Sequence, residues 1–184
     1  MKVACFAGYS NSGKTTLIEQ IIPLLRQQGL RVSVVKHAHH RFDIDHPGKD
    51  SHRHREAGAF EVVIASDRRL ALVREFEHPA QMTVHQMLAE LYEGVDWVLV
   101  EGFKESDLLK IEVWRAPEPG QPERPVRYPD DDFVAAVATD APDRLPVPTQ
   151  LPVLDLNQPA QVAQWLLAQG ERFEYHWDLH GGLL

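Results

Sequence analysis

Residues Gly8-Tyr9-Ser10-Asn11-Ser12-Gly13-Lys14-Thr15 decide the fold of this 184-residue chain. They match the pattern G-x-x-x-x-G-K-[S/T] at every fixed position, and an apolar run at residues 3–7 stands directly before them. After them, apolar residues recur at helical spacing as far as Leu25. A buried strand, a glycine-bounded loop and an amphipathic helix in this order predict a phosphate-binding loop.

This loop predicts which residues would hold a nucleoside triphosphate and its metal ion. Its glycines allow backbone N–H groups to turn toward phosphate oxygens, and the following helix adds the positive end of its dipole. We expect Lys14 to reach the β and γ phosphates and Thr15 to place its hydroxyl on Mg²⁺. The remaining candidate binding residues of this segment are Gly8, Ser10, Asn11, Ser12, Gly13 and Thr16.

Strands and helices alternate along most of the chain. Further strands are predicted at residues 31–35, 97–100, 111–114, 133–138 and 153–156, of which 97–100 and 133–138 are apolar runs typical of buried strands. Helical spacing returns at residues 84–91 and 160–168, whereas segments 61–65 and 70–76 flank a polar turn and predict an antiparallel hairpin. This order predicts a three-layer α/β fold of the P-loop type, with a mainly parallel central sheet and an inserted β-hairpin.

The domain organisation follows from the same reading. We interpret residues 1–172 as one nucleotide-binding domain with loop insertions at 36–59 and 115–131, followed by a C-terminal tail at 173–184. The second insertion holds five prolines between residues 117 and 129, which is typical of an exposed loop. No element is assigned to the tail.

A carboxylate for the metal is expected at the carboxyl end of a neighbouring parallel strand, where ligands collect in open α/β sheets. Glu101 follows the apolar run 97–100, whereas Asp96 lies at the other end of the same strand, about 16 Å away. We therefore predict that Glu101 binds Mg²⁺ and shares the catalytic role with Lys14.

Recognition of the base leaves two interpretations open. The Asn-Lys-x-Asp signature of many GTPases is absent, because neither Asn11 nor Asn157 precedes a lysine. Asp140 follows the apolar run 133–138 and could accept hydrogen bonds from the N1–H and 2-amino groups of guanine. It could equally cap a turn.

A basic island lies between Lys36 and Glu56, where five Lys or Arg and six of the ten histidines stand beside four acidic residues. Three interpretations compete for this stretch: a zinc or nickel site, a solvated loop, and a loop of the nucleotide site. The candidate zinc or nickel ligands are His37, His39 and His40.

The third interpretation gives the island two tasks. Asp45 or Asp50 would approach the magnesium ion, because carboxylate oxygens are ligands that Mg²⁺ prefers. Meanwhile Lys36, His37 and Arg53 would face an anionic ligand.

Composition excludes several classes of protein. The net charge of −8, from 19 basic and 27 acidic residues, disfavours binding to a nucleic-acid backbone. No apolar run approaches the roughly 20 residues of a membrane span, and we expect no signal peptide. The single cysteine, Cys5, lies in an apolar run, which predicts a core position. One cysteine can form no disulfide within the chain, which fits a reducing compartment. We therefore expect a cytoplasmic protein.

Four blocks of the sequence resemble the MobB proteins of molybdenum cofactor biosynthesis. The first is the phosphate-binding loop extended to Thr16. The others are Lys36-His37 with Phe42-Asp43-Ile44-Asp45-x-Pro47-Gly48-Lys49-Asp50-Ser51, then Arg55-x-Ala57-Gly58-Ala59, and Glu101-Gly102-Phe103-Lys104. The second block is the most specific, since the phosphate-binding loop alone is shared by many families.

The resemblance implies a GTP-binding, weakly hydrolysing homodimer that assists a guanylyltransferase, MobA, in converting molybdopterin into its guanine dinucleotide form. The loop from Lys36 to Asp50 would then contact molybdopterin or a related anion. Slow hydrolysis also agrees with the residues, because no water-positioning group or arginine finger is evident.

Other classes of protein stay open at this point. One is a metal-delivery GTPase of the nickel-insertion type, which the histidines would serve. Another is a small-molecule kinase that uses ATP, with an aspartate such as Asp45 as the base toward an acceptor hydroxyl. A third is an adaptor that binds nucleotide without hydrolysing it.

Overall fold

The computed structural model describes residues 1–38, 43–78 and 80–180, which belong to two compact units. The main unit comprises Met1–His37 and Thr83–Leu184, and the inserted unit comprises Ala38–Met82. The predicted phosphate-binding loop lies in the main unit.

The main unit is built on a six-stranded parallel sheet in the order β2-β5-β1-β6-β7-β8. Its strands are β1 (Lys2–Ala7), β2 (Val32–Lys36), β5 (Trp97–Glu101), β6 (Lys110–Trp114), β7 (Val134–Thr139) and β8 (Val153–Asp155). The strand before the phosphate-binding loop is central, and β5 pairs with it directly. The predicted mainly parallel α/β fold is confirmed.

Helices cover both faces of this sheet and make three layers. The main-unit helices are α1 (Lys14–Gln27), α3 (Val84–Ala89), α4 (Pro159–Ala168) and α5 (Trp177–His180). Successive side chains of a strand point to opposite faces. Accordingly, Phe6 packs in the core with α1 and α4, whereas Cys5 packs in the core with α3. The predicted core position of Cys5 is confirmed, and burial raises the pKa of its thiol to about 12.

The inserted unit contains a short helix, α2 (Asp50–Glu56), and the hairpin strands β3 (Glu61–Ala65) and β4 (Leu70–Arg74). The strands pair antiparallel, with Val63 opposite Leu72 and Ala65 opposite Leu70. This confirms the predicted hairpin.

The proline-rich loop after β6 is anchored by a buried acid. Glu112 is 1% exposed, and its carboxylate accepts hydrogen bonds of 2.8–3.0 Å from the backbone N–H groups of Arg127 and Tyr128. Burial raises the pKa of Glu112, and these two N–H groups oppose that shift. These hydrogen bonds fix the proline-rich loop to β6, a contact that the sequence pattern did not indicate.

The tail begins as part of the main unit. Phe173 is buried against Trp97 and Trp165, and Glu174 pairs with the ammonium of Lys2 at 2.7 Å. The tail thus packs beside the start of β1, opposite the end that carries the phosphate-binding loop. Within the described residues, no helix is long and apolar enough to cross a bilayer.

Candidate functional site

The loop between β1 and α1 needs glycine where it leaves the sheet. A Cβ added to Gly8, whose φ is 146°, would lie 2.3 Å from the carbonyl oxygen of Val113 and 2.9 Å from Ser12 Oγ. Asn11 and Gly13 also have positive φ angles, of 62° and 97°. These turns produce the tight loop that a G-x-x-x-x-G-K-[S/T] sequence predicts.

Two features of the loop suit an anion. No side chain caps the start of α1, so its first N–H groups are available to a ligand. The hydroxyl of Ser12 is buried and has no hydrogen-bond partner among the described residues. Buried polar groups are rarely left unpaired, so this hydroxyl fits a site completed by a ligand.

Lys14 lies across its own loop. Its Nζ donates to the carbonyl oxygens of Gly8 and Tyr9, at 2.9 and 2.7 Å. Burial lowers the pKa of Lys14 and the positive charges of Lys36 and Lys104 lower it further, although Glu101 opposes the shift. A phosphate group would relieve this crowding of positive charge.

Glu101 connects the loop to the neighbouring strands. Its Oε1 accepts from the Thr15 hydroxyl at 2.7 Å and from Lys36 Nζ at 3.1 Å. Lys36 stands opposite Glu101 in the parallel register of β2 and β5. The structure therefore brings Lys36, Thr15 and Glu101 together.

The oxygens of Thr15 and Glu101 fit a magnesium ion. Adjacent ligands of octahedral Mg²⁺, at about 2.1 Å from the metal, lie about 3 Å apart, and these two oxygens are separated by 2.7 Å. Mg²⁺ typically takes one or two protein ligands and completes its shell with water and substrate phosphates. Bound there, the ion would offset phosphate charge.

Asp140 follows β7 at the same edge of the sheet and pairs with an arginine. Its Oδ2 lies 3.3 Å from Arg115 Nη1, whereas its Oδ1 is buried without a hydrogen-bond partner in the described part of the chain. The guanidinium of Arg115 also borders the loop, since a Cβ on Gly13 would lie 3.5 Å from Nη2. A free carboxylate oxygen thus lies near the phosphate-binding loop.

The two predicted aspartates of the inserted unit have partners inside that unit. Asp45 accepts from Ser51 Oγ at 2.9 Å and from Arg55 Nη1 at 3.1 Å. Asp50 begins α2 and lies 3.5 Å from Arg53. Their proposed contact with magnesium stays a prediction.

Of the three histidines predicted as zinc or nickel ligands, only His37 lies within the described residues. His39, His40 and the motif residue Phe42 lie outside the described residues. The ring of His37 packs against Phe103, with centroids 4.8 Å apart. Among the described residues, no group of three His, Cys, Asp or Glu side chains is arranged to hold a metal ion.

Sequence reasoning missed two basic residues of this site. Arg115 was placed in a loop insertion, and Lys104 was read only as part of a family motif. Lys104 Nζ lies 5.1 Å from the centroid of the Tyr9 ring. The sequence does place each of them shortly after a buried strand, at the end of the strand where site residues collect.

Comparison with protein families gives one match over most of the chain. The family described as "MobB: Molybdopterin guanine dinucleotide synthesis protein B" matches residues 3–140. That range includes every predicted site residue.

Individual relatives agree with this match. The chain is 37% identical to the molybdopterin-guanine dinucleotide biosynthesis adapter protein of Escherichia coli, covering 88% of this chain and 89% of the relative. It is 40% identical to the adapter protein of the same description from Haemophilus influenzae, covering 86% and 84%. The crystal structure of a MobB homologue from Bacillus stearothermophilus matches with a TM-score of 0.67 and 26% identity, over 94% of this chain and 99% of that one.

Proposed function

The chain belongs to the MobB family, and from this premise we propose that it is a GTP-binding adapter in the synthesis of molybdopterin guanine dinucleotide. The observation that carries the proposal is the contact of 2.7 Å between Thr15 and Glu101 beside the phosphate-binding loop. It joins the proposed magnesium site to the proposed phosphate site.

In this proposal the phosphates lie over residues 8–16 and displace Lys14 from the carbonyl oxygens of Gly8 and Tyr9. Lys14 then contacts the β and γ phosphates, where a charged hydrogen bond is stronger than one to a neutral carbonyl. Thr15 and Glu101 hold Mg²⁺, which neutralises part of the phosphate charge.

Guanine selectivity is assigned to Asp140. Its unpaired Oδ1 supports this assignment, because a buried carboxylate oxygen gains most from a donor such as the N1–H or 2-amino group of guanine. Adenine offers no donors in that arrangement. Arg115 holds the other oxygen and orients the carboxylate.

We propose that hydrolysis is slow. Glu101 already accepts from Thr15 and Lys36, so it is poorly placed to activate water, and no arginine finger is evident from the sequence. Such a protein suits an assisting role in the cytoplasm better than rapid turnover. Its partner would be a MobA-type guanylyltransferase, and its second ligand molybdopterin or a related anion near Lys36.

The proposed function is tested by reconstitution. A MobA-type guanylyltransferase, molybdopterin, GTP and Mg²⁺ are combined, and the guanine dinucleotide formed is measured with and without this chain. We expect a severalfold gain from the wild-type chain and none from Lys14→Ala. The exposed-residue variant Arg172→Ala, which removes one positive charge near the opposite end of β1, should retain the gain. Equal product in the presence and absence of the chain would refute the adapter role.

We also propose that the chain acts as a homodimer. Val63, Leu70 and Leu72 share one face of the hairpin and are 55%, 70% and 42% exposed. A two-stranded hairpin is marginally stable alone, so a second copy packing on this face would stabilise it.

Light scattering should accordingly give a mass near twice 20.9 kDa. Leu72→Glu should shift the mass toward the monomer, because it places a charge in the apolar face. Arg68→Glu in the exposed turn should leave the dimer intact. A monomeric wild-type chain at all concentrations would contradict this proposal.

A further inference from the structure

Lys104 lies over the phosphate-binding loop without belonging to it. It is exposed, and its ammonium is 5.1 Å from the centroid of the Tyr9 ring. At that distance a cation is attracted to the face of an aromatic ring, but the interaction is weak where both groups meet water. Lys104 can therefore leave Tyr9 at small cost.

The backbone that presents Lys104 is strained. Gly102 and Phe103 have φ angles of 96° and 48°, and a non-glycine residue rarely adopts the left-handed region. The turn is held from several sides: the Gly102 N–H donates to the carbonyl of Phe6 at 3.2 Å, and the Phe103 ring packs on His37. Strain that the surroundings maintain is concentrated at functional sites.

This turn follows directly after Glu101 and determines where the charge of Lys104 lies. It places a third ammonium group near those of Lys14 and Lys36, and Glu101 is the acidic neighbour of the latter two. Three cations and one carboxylate leave an excess of positive charge. A triphosphate neutralises that excess better than a diphosphate does.

We propose that Lys104 binds the γ-phosphate of the nucleoside triphosphate and rests on Tyr9 when that phosphate is missing. The proposal rests on the proposed function and adds the residue that separates triphosphate from diphosphate. Lys14, by contrast, contacts both β and γ phosphates and serves both nucleotides.

The test compares the affinities of a non-hydrolysable GTP analogue and of GDP, each with Mg²⁺, for the full chain. Lys104→Ala should lower the affinity for the analogue about tenfold and leave that for GDP within about twofold of the wild type. Lys104→Arg should retain most of the affinity for the analogue, since it keeps the charge. Arg172→Ala, with the same change of net charge, should alter neither affinity.

The results distinguish a failure of the role of Lys104 from a failure of the proposed function. A Lys104→Ala variant that binds the analogue like the wild type, or that loses analogue and GDP equally, overturns the role of Lys104. A wild-type chain that binds no guanine nucleotide overturns the proposed function as well. Lys104 is exposed, so its replacement should leave the core intact. A thermal unfolding midpoint equal to that of the wild type would show that the variant is folded.

Discussion

Replacing Lys14 with alanine should lower the affinity for Mg²⁺–GTP by about a hundredfold, or close to 3 kcal/mol. The ammonium is partly buried and hydrogen-bonded within the loop to Gly8 and Tyr9, beside the proposed phosphate site. Its removal takes away the charge that contacts the phosphates. Calorimetric titration of Mg²⁺–GTP into the variant measures the loss.

Two controls accompany that titration. Arg172→Ala removes the same charge in the turn Gly170–Phe173, near the opposite end of β1, and should bind like the wild type, which excludes a general electrostatic effect. Thermal unfolding of Lys14→Ala checks that the loop does not depend on the hydrogen bonds of Lys14 to its own backbone. An unchanged affinity in a folded Lys14→Ala variant would rule out phosphate binding at this loop.

The second large effect is expected at Asp140. Asp140→Asn should weaken GTP binding about a hundredfold, because the amide loses one acceptor and presents its own donor to the 2-amino group of guanine. Xanthine carries an oxygen at that position, which accepts from the new amide. Xanthosine triphosphate should therefore bind the variant more tightly than GTP does.

Asp143→Asn is the matched control for this exchange. It changes the same charge three residues further along, at an exposed position in the short helix Pro142–Arg144, and should keep the preference for GTP. Competition between the two triphosphates measures the preference of each variant. Retained GTP selectivity in Asp140→Asn would place the base elsewhere.

The sequence alone was sufficient where a feature is local. The strand, loop and helix around Lys14 follow from residues close to it in the chain, and Glu101 was chosen because it ends a buried strand. The structure places Glu101 within 2.7 Å of Thr15, and its role as a magnesium ligand stays a prediction. Parallel strands bring such ends to one edge of the sheet, so the rule needs no coordinates.

Features that depend on distant residues could not be predicted in this way. Arg115 becomes part of the site only because β6 lies between β1 and β7, which places it beside both Gly13 and Asp140. Lys104 reaches Tyr9 through a turn with a positive φ at Phe103, a conformation that its side chain disfavours and that surrounding contacts maintain. No periodicity in the sequence encodes either arrangement.

The sequence pattern also could not predict a buried ionisable side chain. Glu112 lies within a fully buried strand, where the sequence pattern predicts apolar residues. Its carboxylate is tolerated because backbone N–H groups from a loop fifteen and sixteen residues later satisfy it. Only the folded chain shows which loop provides those donors.

We propose above all that this chain binds GTP through its phosphate-binding loop and Asp140. Calorimetric titration of GTP and of ATP, each with Mg²⁺, into the wild-type protein tests it most directly. We expect saturable binding of GTP at least about tenfold tighter than that of ATP, since adenine has no donor at N1 or C2 for the free oxygen of Asp140. Equal or tighter binding of ATP would rule out guanine recognition by Asp140 and favour a small-molecule kinase.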